Sequence, residues 1–303
     1  GHSGYKTQAI ESIGLNEAVD ADGPQGIKGS YGGDATMAYT SEPVMAATFN
    51  VDVLYNIGVS MGEDALRTEV VGWYGPAMNI HRTPYSGRNF EYYSEDGFLT
   101  GVLAAKEVLG AQEKGTIAFI KHFALNNQET NRNENDAIVG ERALREIYLK
   151  NFEITVKESS PWTVMSSYNK MNGDYTQQSE DLLTTVLRDE WGFDGIVMTD
   201  WGNKANTPKA GHAGNDLMEP GNVSEKERIL AAVADGTIYK VVTTNLTYIP
   251  EDILNRDYFI KCDMSKYIAY IIDTLNHECS ISELLNPYGR IEKLINRYKN
   301  GEY

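Results

Sequence analysis

The sequence predicts an α/β fold, a TIM-type (β/α)8 barrel that is irregular or incomplete in its last units. Three observations carry that expectation. Short apolar runs alternate with amphipathic helical stretches from about residue 15 to 235, the pattern of a parallel sheet with helices outside. Polar residues able to do chemistry recur just after those runs, and in a closed barrel the strand C-termini converge on one face. The chain has 303 residues, enough for a barrel of typically ~250.

Taken in order, Leu15–Val19 leads into the turn Asp22-Gly-Pro-Gln-Gly26. Val51–Arg67 reads as a helix with Val51, Leu54, Tyr55 and Val59 on one face. Glu69–Trp73 is a strand candidate, and Phe98–Lys114 a helix with Leu99, Val102 and Leu103 inward. Thr116–Ile120 is a strand leading into Lys121-His122. Glu141–Lys157 is the clearest helix: Leu144, Ile147, Tyr148 and Phe152 form a stripe, and Glu141/Arg145 is an i,i+4 pair. Trp162–Met165 is a strand leading to Tyr168, and Leu182–Trp191 a helix. Ile196–Met198, bounded by Gly195 and Gly202, is too short for a helix and reads as a buried strand. Asn215–Met218 offers one more strand before the helix Ser224–Asp235. The barrel core is thereby expected over 1–236. In 237–303 the alternation fades: Tyr239–Thr243 suits a strand, and Met264–His277 and Ser282–Lys299 suit helices that complete or cover the barrel.

Composition narrows the function classes. Twenty-seven basic against 43 acidic residues give a net charge of −16, a field that repels nucleic acid and anionic membranes. No apolar run reaches the roughly 18 residues of a spanning helix. Five scattered histidines, no HExxH and no CxxC leave no expected metal or other cofactor. The cysteines, Cys262 and Cys279, make a reducing, cytoplasmic compartment the default. Asn222-Val-Ser and Asn245-Leu-Thr match the glycosylation triplet, a pattern that also arises by chance. Gly29-Ser-Tyr-Gly-Gly33 lacks the Lys-Ser/Thr of a phosphate loop and reads as a flexible segment. Gly1-His-Ser-Gly-Tyr has neither a leader pattern nor an initiator Met.

Asp200 ends the strand of Gly192-Phe-Asp-Gly-Ile-Val-Met-Thr-Asp200-Trp201-Gly202. An aspartate beside an indole on a rigid strand end suits attack on, or stabilisation of, a cationic sugar carbon; a helix N-cap followed by a core aromatic is the alternative. Arg88 offers a planar fork for two neighbouring hydroxyls, or an ion pair with Glu91 or Glu95. Lys121 and His122 are adjacent donors at a strand end, although a lone histidine there also suits a satisfied core position. Arg132 lies in an amide-rich loop, Asn126-Asn-Gln-Glu-Thr-Asn-Arg132, that otherwise reads as solvated.

Five segments together resemble the barrel domain of glycoside hydrolase family 3, in its β-glucosidase branch. They are Ala21-Asp-Gly-Pro24, Gly87-Arg-Asn-Phe-Glu-Tyr92, Lys121-His-Phe123 continuing to Asn131-Arg132, Met165-Ser-Ser-Tyr168-Asn-Lys-Met-Asn-Gly173, and Gly192 to Gly202. The likeness runs from about Gly4 to Gly221. It implies Asp200 as the nucleophile and Trp201 as a wall of the glucose subsite. Asp22 is implied as the carboxylate binding distant hydroxyls, and Arg88, Lys121, His122 and Arg132 as a polar clamp. Met165 and Tyr168 are implied to border the pocket near the nucleophile. Asp22 favours a hexose over a pentose, and the implied reaction is exo-acting hydrolysis of β-glucosides or oligosaccharides with retention. A retaining glycosidase needs two carboxyl groups about 5–5.5 Å apart, and Lys121 or Arg132 is expected to lower the pKa of Asp200. In two-domain members the proton donor lies on an α/β sandwich domain, and no segment after Gly221 resembles one. The expected partner is therefore a sandwich domain of the same parent, or a separate chain. Within this chain Glu219, Glu225 and Glu227 are the nearest later acids. Relatives that cleave N-acetylglucosaminides carry a histidine loop whose pattern is missing after His122. Phosphorolysis, and a non-catalytic sugar-binding or assembly domain, are the alternative functions.

Overall fold

The computed structural model describes residues 5–7, 9, 11, 16–28 and 36–237, together with the main chain of 241–244 and 259–262. The chain divides into two compact units, Gly1–Ile238 and Tyr239–Tyr303. The Gly29–Gly33 segment and the two helices expected after residue 263 lie outside the described residues.

In the first unit the elements run β1 (Lys6–Thr7), β2 (Ala18–Asp22), α1 (Glu42–Ala46), α2 (Val51–Arg67), β3 (Gly72–Tyr74), α3 (Gly97–Glu113) and β4 (Ile117–Phe123). Then follow β5 (Asp136–Ala137), α4 (Glu141–Ala143), α5 (Lys150–Ser159), β6 (Thr163–Ser166), β7 (Lys170–Met171), β8 (Asp174–Tyr175), β9 (Ile196–Met198), α6 (Thr207–His212) and α7 (Val223–Ala234). One sheet has the order β1-β2-β3-β4-β6-β9. All neighbours from β2 onward are parallel, and each step between them passes through helix. That is the α/β barrel layout expected from the sequence, with two corrections. Among the described residues the sheet has six strands rather than eight, and β1 pairs antiparallel with β2. A parallel crossover takes roughly a dozen residues or more, and only residues 8–17 separate those strands. Asn215–Met218 forms no strand; Leu217 alone bridges Met198. A small sheet, β5-β7-β8, sits in the loops beyond the main one.

Helix α2 has the predicted bounds, but its buried face is Leu54, Gly58, Met61 and Ala65. Val51, Tyr55 and Val59 are only half-buried. Glycines cause this rotation. A Cβ on Gly58 would lie 2.1 Å from the Glu107 carbonyl oxygen, and one on Gly110 would lie 2.2 Å from that of Tyr55. The two main chains of α2 and α3 therefore touch, and the helix turns its small residues into the seam. The helix expected over Glu141–Lys157 is broken by π-helical turns at Leu144–Tyr148. The Leu149 amide reaches back to the Leu144 carbonyl at 2.8 Å. One extra residue per turn slides the apolar stripe: Ile147 is exposed, while Leu149 and Phe152 are fully buried. Helix α7 starts on a capping box, Asn222 with Glu225. Under the sheet Ala21, Ile120, Val164 and Val197 are wholly buried.

In the second unit, β10 (Val241–Thr244) and β11 (Phe259–Cys262) pair in parallel, Val241 opposite Phe259 and Thr244 opposite Cys262. The sequence anticipates the first of them, two residues early.

Candidate active site

Strand ends build the site. β2 runs on past the expected Val19 to Asp22, so Asp22 is a strand terminus rather than a turn residue. β4 likewise extends through Lys121 and His122. Adjacent strand residues normally point to opposite faces, yet both of these side chains line one cavity. The pairing of β4 with β6 shifts register between Lys121 and Phe123, and such irregularities re-aim side chains. The buried Asn79 side chain then holds the main chain of His122 from both sides, accepting from its amide at 2.8 Å and donating to its carbonyl at 2.9 Å.

A cavity of about 350 Å³ receives all nine residues named from the sequence: Asp22, Arg88, Lys121, His122, Arg132, Met165, Tyr168, Asp200 and Trp201. Tyr5, Lys28, Tyr74, Phe90 and Glu91 complete its lining. The volume is at the small end of ligand cavities, roughly 300–1,000 Å³, a size suited to one sugar ring.

Asp200 is 7% exposed and follows β9 by two residues. Its Oδ1 accepts from the Trp201 amide at 2.7 Å, and its Oδ2 lies 3.7 Å from His122 Nε2. Burial raises its pKa above the ordinary aspartate range. The Trp201 amide, Lys121, Arg88 and the Tyr168 hydroxyl pull the other way without cancelling that rise. The expected lowering by Lys121 is thus real as a contribution but loses to desolvation, and Arg132 is not among the principal influences.

Asp22 behaves oppositely. Burial alone would raise it, but Lys121 Nζ donates to its Oδ1 at 2.8 Å and the carboxyl stays below its usual range. Arg88 lines the cavity and is paired with Glu91, the ion pair that was its alternative reading; Glu95 is exposed. Arg88 Nη2 reaches His122 Nε2 at 2.9 Å. His122 is held neutral by burial and by Arg88, Lys121 and Arg132, all of which disfavour a second positive charge. Arg132 donates to Glu129 of its own loop at 3.0 Å and lies 4.4 Å from the Tyr168 ring centre. Trp201 is braced by Tyr5, stacked at 5.2 Å, and by Tyr74, edge-on at 4.9 Å.

Of the residues that sequence reasoning left out, Glu91 carried a signal as a partner of Arg88. Tyr5 and Tyr74 did not: an aromatic residue beside or within a strand reads equally well as core. Glu219, Glu225 and Glu227 are not among the cavity residues. Glu219 is buried and pushed up to about 7 by desolvation and by Asp20 and Glu225. Its main chain pins the loop of Asp200 instead, donating to Thr199 Oγ1 at 2.8 Å and accepting from the Gly202 amide at 3.0 Å. Among the described residues no cluster of His, Cys, Asp and Glu is placed to hold a metal ion. No described helix is long and apolar enough to cross a membrane.

Comparison with known proteins shows the family. Beta-glucosidase A of Butyrivibrio fibrisolvens is 48% identical over 209 residues, 69% of this chain and 25% of its own. An exo-alpha-(1->6)-L-arabinopyranosidase of Bifidobacterium longum is 37% identical over 296 residues, 94% of this chain and 39% of its own. The structure of beta-glucosidase 3B from Thermotoga neapolitana in complex with glycerol superposes with a TM-score of 0.73 at 47% identity, covering 78% of this chain and 35% of that one. The chain therefore spans between about a quarter and two-fifths of the length of these relatives. Residues 4–239 match the glycosyl hydrolase family 3 N terminal domain; the chain belongs to glycosyl hydrolase family 3 and carries its barrel domain.

Proposed function

We propose that this chain is the nucleophile-bearing domain of a retaining, exo-acting β-glucosidase. Asp200 attacks the anomeric carbon of a terminal β-glucosyl residue. As the bond from Asp200 to that carbon forms, the bond to the aglycone oxygen breaks, and that oxygen takes a proton from an acid. Water, deprotonated by the same group, then cleaves the glycosyl–Asp200 ester. Asp22 and Lys121 bind hydroxyls far from the reacting carbon, Arg88, His122 and Arg132 complete the clamp, and Trp201 forms the apolar wall. Met165 and Tyr168 border the nucleophile, and the Tyr168 hydroxyl favours the ionised form of Asp200. Such contacts contribute to rate when they tighten in the transition state.

The observation that carries this reading is the convergence of the nine residues on one ring-sized cavity with Asp200 in its buried wall. We place the acid elsewhere, because the other carboxylates lining the cavity are already engaged, Asp22 with Lys121 and Glu91 with Arg88. We assign the donor to a further domain of the parent protein or to a separate chain.

Activated aryl glucosides need little protonation of the leaving group, so they report on Asp200 alone. Incubation with dinitrophenyl 2-deoxy-2-fluoro-β-glucoside is expected to release dinitrophenolate and add one fluoroglucosyl mass, mapped to Asp200, and Asp200→Asn is expected to abolish it. No adduct on folded protein after long incubation would favour the non-catalytic sugar-binding alternative. Matched aryl β-glucoside and α-L-arabinopyranoside rates decide between the two activities named for the relatives. A rate that depends on inorganic phosphate would mark phosphorolysis.

A further inference from the structure

Two histidines meet the same tyrosine at different atoms. His81 Nε2 lies 2.7 Å from the Tyr92 carbonyl oxygen and 3.1 Å from that of Asn89. Carbonyls only accept, so His81 carries its proton on Nε2. His122 faces the opposite demand. Its Nε2 is 2.9 Å from Arg88 Nη2, and a guanidinium only donates. That nitrogen must therefore be unprotonated, and the single proton of the neutral ring sits on Nδ1. Nδ1 lies 3.2 Å from the Tyr92 hydroxyl.

The Tyr92 oxygen is itself fixed. Asn126 Nδ2 donates to it at 3.0 Å and to Glu129 Oε1 at 3.0 Å. A carboxylate only accepts, so Glu129 sets which way the Asn126 amide faces. Glu129 is in turn held by Arg132. Tyr92, Asn126 and His122 are all buried, at 1%, 2% and 1% exposure, so no water is free to substitute for a missing bond.

We propose that Tyr92 is a positioning residue: its hydroxyl receives the Nδ1–H of His122 and, opposite Arg88, holds the ring in the tautomer that presents an unprotonated Nε2 to the cavity. The clamp then has one acceptor among its donors. A sugar hydroxyl takes the place of Arg88 at Nε2, donating its O–H there while its oxygen accepts from the Arg88 guanidinium, a pairing that a hydroxyl satisfies and a ketone or fluorine does not. The sugar in that last step rests on the proposed function; the tautomer does not.

The test is long-range proton–nitrogen NMR on the full chain labelled with 15N-histidine, with His81→Asn to assign the signals. Without sugar, His122 is expected to show a pyrrole-type Nδ1 and a pyridine-type Nε2, and His81 the reverse. Tyr92→Phe is expected to shift both His122 nitrogens while leaving Nε2 of His81, which meets only the main-chain carbonyls of Asn89 and Tyr92. Loss of the bond is expected to raise the glucose dissociation constant roughly tenfold. A proton on Nε2 of His122 in the unsubstituted protein overturns the proposal, as do His122 signals unmoved by Tyr92→Phe. Glucose is expected to move the Nε2 signal. A confirmed tautomer with no response to glucose removes the sugar step and counts against the proposed function, leaving the role of Tyr92 intact.

Discussion

Asp200 and Asp22 share one cavity and titrate in opposite directions. Burial pushes Asp200 up, whereas the Lys121 ammonium at 2.8 Å keeps Asp22 down. In the proposed reaction Asp200 attacks only when ionised, so lowering the pH is expected to stop it as Asp200 takes up a proton. The acidic limb of kcat/KM for an activated aryl glucoside is expected above 3.8, the ordinary value for aspartate. Lys121 draws Asp200 downward, so in Lys121→Met that limb moves further up in pH, beyond any loss of rate from the damaged clamp. A limb at or below 3.8 in the unsubstituted protein would contradict the assignment of Asp200. Asp200, Arg88 and the Lys121-His122 pair stand in segments with their own chemical signature: an acid after an apolar run, an arginine three residues before a glutamate, adjacent donors at a strand end. Arg132, in a loop that reads as solvated, entered only through the family resemblance. The direction of Asp200 was not legible, since sequence shows the cations nearby in the fold but not how completely water is shut out.

At the scale of elements, periodicity located the parallel strands β2, β3, β4, β6 and β9 and the long helices, but not the short α1, α6, β1, β5, β7 and β8, nor β11. Predicted faces were wrong where main chains approach more closely than side chains allow. In α2 the apolar count pointed to Val51, Tyr55 and Val59, yet the buried seam runs through Gly58, against which α3 lies. Around Leu144 the π-helical turns shift the stripe, a feature that composition does not encode. The short strands β5, β7 and β8 were missed because two residues carry no alternation. The glycine seam makes a definite prediction. Gly58→Ala has favourable helix propensity, but its Cβ would lie 2.1 Å from the main-chain oxygen of Glu107, which has no flexible end to move. The helices must separate, and overpacking of this kind costs about 1–3 kcal/mol. Urea denaturation of the variant is expected to show a lower midpoint; an unchanged or raised midpoint would mean that α2 and α3 are not in contact here.

Across the whole molecule the net charge of −16 hides acids that carry no charge at neutral pH. Glu107 is fully buried, receives the Tyr93 hydroxyl and is pushed up to about 8 by desolvation. Glu42 is also fully buried. Desolvation first, and then the neighbouring Glu107 and Glu91, push it up to about 9 against the hydrogen bond from Gln25. In the unfolded chain both titrate near 4.5. Between 4.5 and about 9 the folded state therefore holds protons that the unfolded state has released, and stability falls as pH rises through that window. The contribution is complete below 4.5 and lost once the folded pKa values are passed. Asp22 has the reverse sign, losing stability only as pH falls below 3.8, outside the same window. Glu107→Gln keeps an acceptor for Tyr93 and removes one titration. Its unfolding free energy is expected to decline less steeply between pH 5 and 8 than that of the unsubstituted protein, by an amount on the order of 1 kcal/mol or more. Chemical denaturation at a series of pH values measures this, with the difference between the two proteins widening toward pH 8. Parallel curves would show that Glu107 is ionised in the folded protein and that the chain tolerates a buried charge beside Tyr93.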